Sequence, residues 1–306
     1  MLFRALDIET VPDLRFWTPG EPKWVPRPGA RYEFESSLPQ YSQRGNAFFE
    51  GVRLEGFVHP QSTYCDLTYV KEEPFPPPQA QRVVAVAWCD VEMRVEADKP
   101  KVYEFSGLHT KADWSVDPCD PRPERGLVEA LREEMVERPA TIVTWNGRTF
   151  DLPVLAMRAL YLGVPWGWYY DERDVRYRYS EAGHCDLMDF LSDYGASRSM
   201  KLDDAARLVG LPGKGEPSAD RLDGFKIADF VAGSSVVDCA ERQLKVARYC
   251  LQDAVQTALI FLRTRYHLEI LSAEEHALSL ATFSGSKIVR KVVDVDWDRC
   301  AVGGKK

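Results

Sequence analysis

The stretch LFRALDIETVPD (residues 2–13) decides how the rest of the chain is read: an apolar, strand-like run reaches two acids, Asp7 and Glu9, with one isoleucine between them. Side chains alternate faces along a strand, so Asp7 and Glu9 point one way while Leu6 and Ile8 point the other. Two like charges on one side of a buried strand repel and raise each other's pKa unless something positive sits between them. The usual remedy is a hard divalent cation held by oxygen ligands. A strand running out into solvent would explain the same two acids, so the remainder of the chain has to decide.

The 306-residue chain is 45% hydrophobic and 28% charged, an ordinary globular balance with room for one large domain or two small ones. No stretch approaches the roughly 18 uninterrupted apolar residues of a membrane span, and no basic region followed by an apolar one precedes the first strand. A soluble, cytoplasmic protein without a membrane partner is expected. Cys65, Cys89, Cys119, Cys185, Cys239, Cys250 and Cys300 are odd in number and scattered, with no CxxC pair, and read as reduced, mostly buried thiols. His59, His109, His184, His267 and His276 lack ligand spacing, which argues against a zinc hydrolase. GLPGKG (210–215) lacks the frame of a phosphate-binding Walker loop. The net charge of -8 argues against a protein that coats nucleic acid non-specifically. It does not argue against an enzyme acting on nucleic acid, because a carboxylate-rich site lowers net charge by itself.

Strands are expected over residues 2 to 8, over RVVAVAWCDVE (82–92) and over KVYEFSG (101–107), a meander that precedes any helix. Between the first two lies a segment, 11–81, with eleven of the twenty prolines, a density that forbids continuous helix or central strand. Its twelve aromatic residues argue that it packs. Within it KWVPRPGARYEF (23–34) interleaves Lys23, Arg27 and Arg31 with Trp24, Tyr32 and Phe34. That pattern suits either a wall for a single strand or a loop pinned to a core. From residue 122 helix and strand alternate: ERGLVEALREEMVER, TIVTW (141–145), then DLPVLAMRALYLG ending at Gly163. An aromatic and basic loop, RDVRYRY (173–179), leads to CDLMDFLSDY and MKLDDAARLVGLPGK. A long helix is expected from about Asp238 to Arg265, with more helix from Ser272 to about Val293.

Two further acids stand out. In TWNGRTFDLPVL (144–155) a strand ends, a turn follows and Asp151 begins a helix with Pro153 in its first turn. Asp151 is either a helix N-cap or a third metal ligand at the carboxyl edge of a strand. In ARYCLQDAVQTALIF (247–261), Leu244, Ala247, Leu251, Ala254, Ala258 and Leu262 form the stripe expected to pack on the core. Tyr249 and Asp253, four apart, lie one above the other almost opposite Leu251.

DIE at 7–9, NGRTFD at 146–151 and YCLQD at 249–253 resemble, in this order, the three exonuclease motifs of the DEDD superfamily, in the DEDDy form with Tyr four residues before the last Asp. The chain is similar to stand-alone predicted 3'-5' exonucleases related to the proofreading domain of family B DNA polymerases; HCDLMDFL and KLDDAARLVGLPGK also look like segments of that group. The resemblance covers residues 1 to 10 and about 82 to 265. It implies an RNase H-like α/β fold, a five-stranded mixed sheet flanked by helices. The corresponding organisation is an exonuclease domain over 1–270, with a Pro- and aromatic-rich insertion at 11–81, and a helical extension over 271–306. It implies that Asp7, Glu9, Asp151 and Asp253 hold two divalent ions, Mg2+ or Mn2+, in the two-metal clamp for in-line phosphoryl displacement, and that Tyr249 orients the attacking water. By family position, the backbone of Thr10 and the side chain of Val11 meet the terminal sugar and base, and Asn146 lines the strand. Asn146 reads equally well as a residue holding its own turn. The implied partner is the 3' end of single-stranded nucleic acid, with DNA as the first reading and RNA as the alternative. A module that kept the fold and lost the chemistry is opposed by the presence of all four acids and the tyrosine.

Overall fold

The computed structural model describes residues 1–18, 20, 23–33, 47–49, 52–54, 64–72, 75–171, 174–213, 222 and 226–301, with the backbone alone for 23–72. The chain divides into two compact units, Met1–Asp13 with Pro78–Lys306, and Leu14–Pro77. In chain order the first unit begins with β1 (Leu2–Pro12). The second contains β2 (Lys23–Glu33), β3 (Ala47–Phe49), β4 (Val52–Leu54) and β5 (Tyr64–Glu72), in a sheet of order β2-β5-β4-β3. Pro26 and Pro28 fall in β2, an edge strand, where a missing N–H costs no ladder bond on the open side. The side chains of Lys23, Trp24, Arg27, Arg31 and Tyr32, and Phe34 altogether, lie outside the described residues. β1 continues through Val11 and Pro12, and Pro78–Ala80 is already a 3-10 turn of the larger unit, so the smaller compact unit runs from Leu14 to Pro77.

The larger unit continues with β6 (Gln81–Arg94), β7 (Val102–Ala112), α1 (Arg122–Glu137), β8 (Thr141–Thr144), α2 (Asp151–Leu162), α3 (Gly167–Tyr170) and β9 (His184–Asp186). Then follow α4 (Leu187–Leu191), α5 (Leu202–Leu208), α6 (Ile227–Ala232), α7 (Cys239–His267), α8 (Ala273–Gly285), α9 (Lys287–Val292) and α10 (Trp297–Cys300). The strands form one mixed five-stranded sheet of order β7-β6-β1-β8-β9. β1, β6 and β7 are the antiparallel meander, while β8 runs parallel to β1 and β9 parallel to β8. This is the helix-flanked α/β sheet that the motif order implied.

Alternation along β1 divides the core. Leu6 and Ile8 join Val83, Val86 and Trp88 beneath α1 and α2, while Phe3 and Ala5 face α7 with Val255, Ala258 and Leu259. The register between β1 and β6 slips between Glu9 and Thr10, a bulge at the acidic end of the strand. Helix α7 differs from the expected stripe: Leu244 is 71% exposed, whereas residues from Val246 to Leu262 are buried on nearly every side. The cause is that α5, α8 and α9 pack on the face of α7 that turns away from the sheet. A helix enclosed between two layers no longer shows a one-sided pattern. Leu271, Leu280, Phe283 and Val289 share one apolar cluster with Phe3 and Phe261, so residues 271–301 complete this core.

An edge strand leaves unpaired amides. Along β7 they are met by α8: Tyr103 N–H donates to Ser279 Oγ (2.9 Å), Phe105 N–H to Thr282 Oγ1 (2.9 Å), and just before the strand Lys101 N–H to Glu275 Oε1 (2.7 Å). Two buried arginines tie other layers together. Arg4 forks onto Asp90 (2.8 and 3.0 Å) and reaches Glu134 (2.6 Å), joining β1, β6 and α1. Arg158 of α2 grips Glu124 (2.7 and 2.6 Å), Asp13 (3.0 Å) and the Gln79 carbonyl (2.8 Å), while Asp13 N–H donates to the Ala80 carbonyl (2.7 Å). That network sits where the chain leaves the larger unit and where it returns. Replacing Arg158 by Leu strands two buried carboxylates, so urea unfolding should show a loss of about 3–5 kcal/mol, with much of it recovered when Glu124→Gln and Asp13→Asn are added.

Candidate active site

Strand β8 stops at Thr144 and pairs with β1 only over Phe3–Ala5, so the amides of β1 beyond that point need other acceptors. Ile8 N–H finds one in Asp151 Oδ1, at 3.2 Å, from the first residue of α2. Ile8 lies between Asp7 and Glu9, so this bond brings the third acid to the first two. The fourth comes from the opposite side: α7 packs against β1 with Cys250 buried, its thiol donating to the Asp7 carbonyl (Sγ to O 3.3 Å). One ligand atom each from Asp7, Glu9 and Cys250 lie within 4.8 Å of one another. Glu9, Asp151 and Asp253 are all buried, Asp253 at 6% exposure.

The electrostatics record the crowding. Burial first, then the charges of Asp186 and Asp253 among its neighbours, push the Asp151 carboxyl up to about 7, against the pull of the Ile8 amide and its own backbone N–H. The Cys250 thiol is raised well above its ordinary range by burial first and then by the charges of Asp7, Glu9 and Asp253. Asp7 and Glu9 lie together beside Cys250, the charge of Asp253 acts on both Cys250 and Asp151, and Tyr249 stands half-buried one turn before Asp253 on α7. The carboxylate oxygens of Asp7 and Glu9 are hard donors of the kind a divalent cation takes.

The turn that delivers Asp151 is built by residues the motif did not include. Asp186, at the end of β9, accepts from the amides of Asn146 (3.0 Å), Arg148 (2.9 Å), Met188 (3.1 Å) and Asp189 (3.2 Å), so one buried carboxylate caps α4 and holds the 146–148 turn together. Asn146 occupies the left-handed region at φ 69, and its side chain accepts from Thr149 Oγ1 (2.5 Å). Gly147 N–H donates to Thr144 Oγ1 (3.1 Å), and a Cβ at Gly147 would collide with that threonine side chain. Thr144 Oγ1 also pairs with His184 Nε2 (2.8 Å), and burial first, then the Arg148 charge, lowers the histidine to about 3, so the ring is neutral.

The anticipated substrate residues separate here. Thr10 follows the bulge and its hydroxyl donates to Gln81 (2.8 Å). The Val11 side chain is 4% exposed and packs with Ile227, Val231 and Val246, because odd positions of β1 face α6 and α7. Asn146 uses its side chain in its own turn. Sequence reasoning missed Asp186 and Cys250, although Asp186-x-x-Asp189 before an apolar run carries a helix-start signal and Cys250 sits inside the YCLQD motif.

Residues 73–287 match the family model described as predicted 3'-5' exonuclease related to the exonuclease domain of PolB. No curated protein matches the chain. No described helix is long and apolar enough to cross a membrane.

A carboxyl raised from 3.8 to about 7 in the folded protein holds its proton over a range in which the unfolded chain has lost it. Stability from this group is therefore present at low pH and declines as pH rises from about 4 to 7, by roughly 1.4 kcal/mol per unit. His184 and His276, lowered by burial to about 3 and about 4, act in the opposite sense below pH 6.5. The contribution of Asp151 is isolated by difference. In chelator, Asp151→Asn should become progressively more stable relative to wild type between pH 4 and 7, and denaturation curves along that range check the slope.

Proposed function

The chain belongs to the family of predicted 3'-5' exonucleases related to the exonuclease domain of PolB, and from that membership we propose that it removes nucleoside monophosphates one at a time from the 3' end of single-stranded nucleic acid, with DNA as the first substrate to test. The observation that carries the reading is the close approach of Asp7 and Glu9 beside Cys250, with the buried Asp253 near enough for its charge to act on both Cys250 and Asp151. Four carboxylates crowded together raise the folded protein's free energy unless a cation offsets their charge. Asp7, Glu9, Asp151 and Asp253 are the residues that would hold two divalent ions. Such ions, when bound, supply Lewis acidity toward water and toward the phosphate oxygens.

The chain's own groups do the positioning. Asp151 is held by the Ile8 amide on one side and carried by the Asp186-braced turn on the other, so its oxygens have little freedom. Cys250 donates its thiol proton to the Asp7 carbonyl and fastens α7 to the strand that carries two of the acids. Tyr249 serves to orient the attacking water through its hydroxyl, because a phenol is a weaker base near neutral pH than the carboxylates beside it. Unpaired 3' ends suit a site buried between a sheet and two helices, because a duplex end would have to fray to reach it.

Incubation with 5'-labelled single-stranded DNA and RNA should give a ladder of shortening products in Mg2+ or Mn2+ and none in chelator. Asp7→Ala and Asp253→Ala should abolish shortening while the variants melt no lower than wild type in chelator, because each removes a repelling charge. A fully active Asp7→Ala protein would sink the site assignment. Tyr249→Phe should lower kcat and leave measurable turnover with KM near wild type. Complete loss with intact Mn2+ binding would give the tyrosine a larger role than orientation.

A further inference from the structure

We propose that Tyr177, Tyr179 and Tyr194 form a stacking platform for the unpaired bases that trail behind the 3' end, an inference that rests on the exonuclease reading and extends it to how the strand is held. The three rings make a continuous edge-to-face series: Tyr177 to Tyr179 at 6.2 Å between centroids, and Tyr179 to Tyr194 at 5.0 Å. Phe190 closes it at 6.3 Å from Tyr194. A series that ended in the core would be ordinary packing, but Tyr177 is 59% and Tyr179 62% exposed. Large aromatic faces offered side by side to water are what single-stranded nucleic acid stacks on, since every base has a π-face.

The series is rigid. Arg178, between the two exposed rings, forks onto Asp189 (2.9 and 2.7 Å) and donates to the Tyr194 carbonyl (2.8 Å). Asp193 and Tyr194 both take the left-handed backbone region, at φ 52, a conformation uncommon outside glycine, and it places the Tyr194 ring behind Tyr179. Rings held in place beforehand lose little freedom on binding.

The platform is also joined to the site. Arg148, three residues before Asp151, donates from its guanidinium to the Arg176 carbonyl (3.1 Å) and from its backbone amide to Asp186 (2.9 Å). The turn that delivers a metal-binding acid therefore also carries the segment that bears the tyrosines. A strand with its terminal phosphodiester at the acids and its preceding bases on Tyr177 and Tyr179 would lie along one continuous piece of structure.

Charge contributes little. Arg178 is paired with Asp189, Arg176 lies over the Tyr170 ring, and Asp174, Glu181 and Asp193 are close in sequence to offset the basic residues, so binding here comes chiefly from stacking and its salt dependence is shallow.

The test measures binding apart from cleavage, by fluorescence anisotropy of labelled dT10 and rU10 with the full chain in chelator. Wild type should bind both. Tyr177→Ala with Tyr179→Ala should weaken both by roughly five- to a hundredfold, and Tyr177→Phe with Tyr179→Phe should restore binding because the ring faces remain. Circular dichroism and melting should not change, since both rings stand in solvent. Unchanged affinity in the double alanine variant, no binding by wild type, or a loss confined to one sugar would each overturn the platform. Cleavage in Mn2+ is scored separately: a chain that cuts but binds equally well without the tyrosines refutes the platform alone, and one that binds through them but never cuts refutes the exonuclease reading alone.

Discussion

The hydrogen bond from the Ile8 amide to Asp151 holds the site together. It exists because β8 is shorter than β1: the parallel ladder ends at Ala5 and Val143, and the next inward-facing amide of β1 would otherwise be buried without an acceptor. A carboxylate fills that role where a backbone carbonyl would in a longer strand. Shortening β8 thus both ends the sheet and calls an acid to the edge, and the acid arrives beside Asp7 and Glu9 because Ile8 lies between them. The cost is visible in Asp151 itself, whose proton is held to about 7 by burial and by the charges of Asp186 and Asp253.

Elsewhere in the larger unit buried acids are met by arginine. Asp90 and Glu134 have Arg4, and Glu124 and Asp13 have Arg158. Those guanidiniums fix layers that must not move, and they compensate the charge they bury. In the site the acids instead press on one another and on the Cys250 thiol. The difference separates two kinds of buried charge in this protein: one kind is paired with arginine, and the other is felt by neighbouring acids and a thiol.

The five-stranded mixed sheet was legible through a resemblance whose three motifs each lie on a local pattern: alternation for Asp7 and Glu9, a strand-to-helix turn for Asp151, and a four-residue helical spacing for Tyr249 and Asp253. The family match over residues 73–287 takes in the second and third of those motifs. What was not legible depended on neighbours distant in sequence. The stripe expected to include Leu244 failed because α8 and α9, from the last part of the chain, bury the outer face of α7. Val11 was placed at the substrate by family position, yet the alternation that put Asp7 and Glu9 toward α7 puts Val11 there too, into apolar contact. Asp186 carried only a helix-start signal, and its bonds to Asn146 and Arg148 span about 40 residues, which no local pattern reports.

The two edges of the sheet show how the surroundings of the site are arranged. At β7 the edge is closed: Ser279, Thr282 and Glu275 accept the amides that another strand would otherwise take, and Phe283 packs against Phe105 at 5.4 Å. At the other side β9 is only three residues long, and the chain around it is turn and short helix whose order comes from side-chain bonds, Asp186 to four amides and Arg178 to Asp189. Bonds of that kind fix a surface without covering it with another layer of helix. Asp151 stands between these two edges but nearer the second, since α2 begins directly from the turn that Asp186 braces. The closed edge therefore adds a helix layer beside the strands of the meander, and the braced edge leaves Tyr177 and Tyr179 exposed.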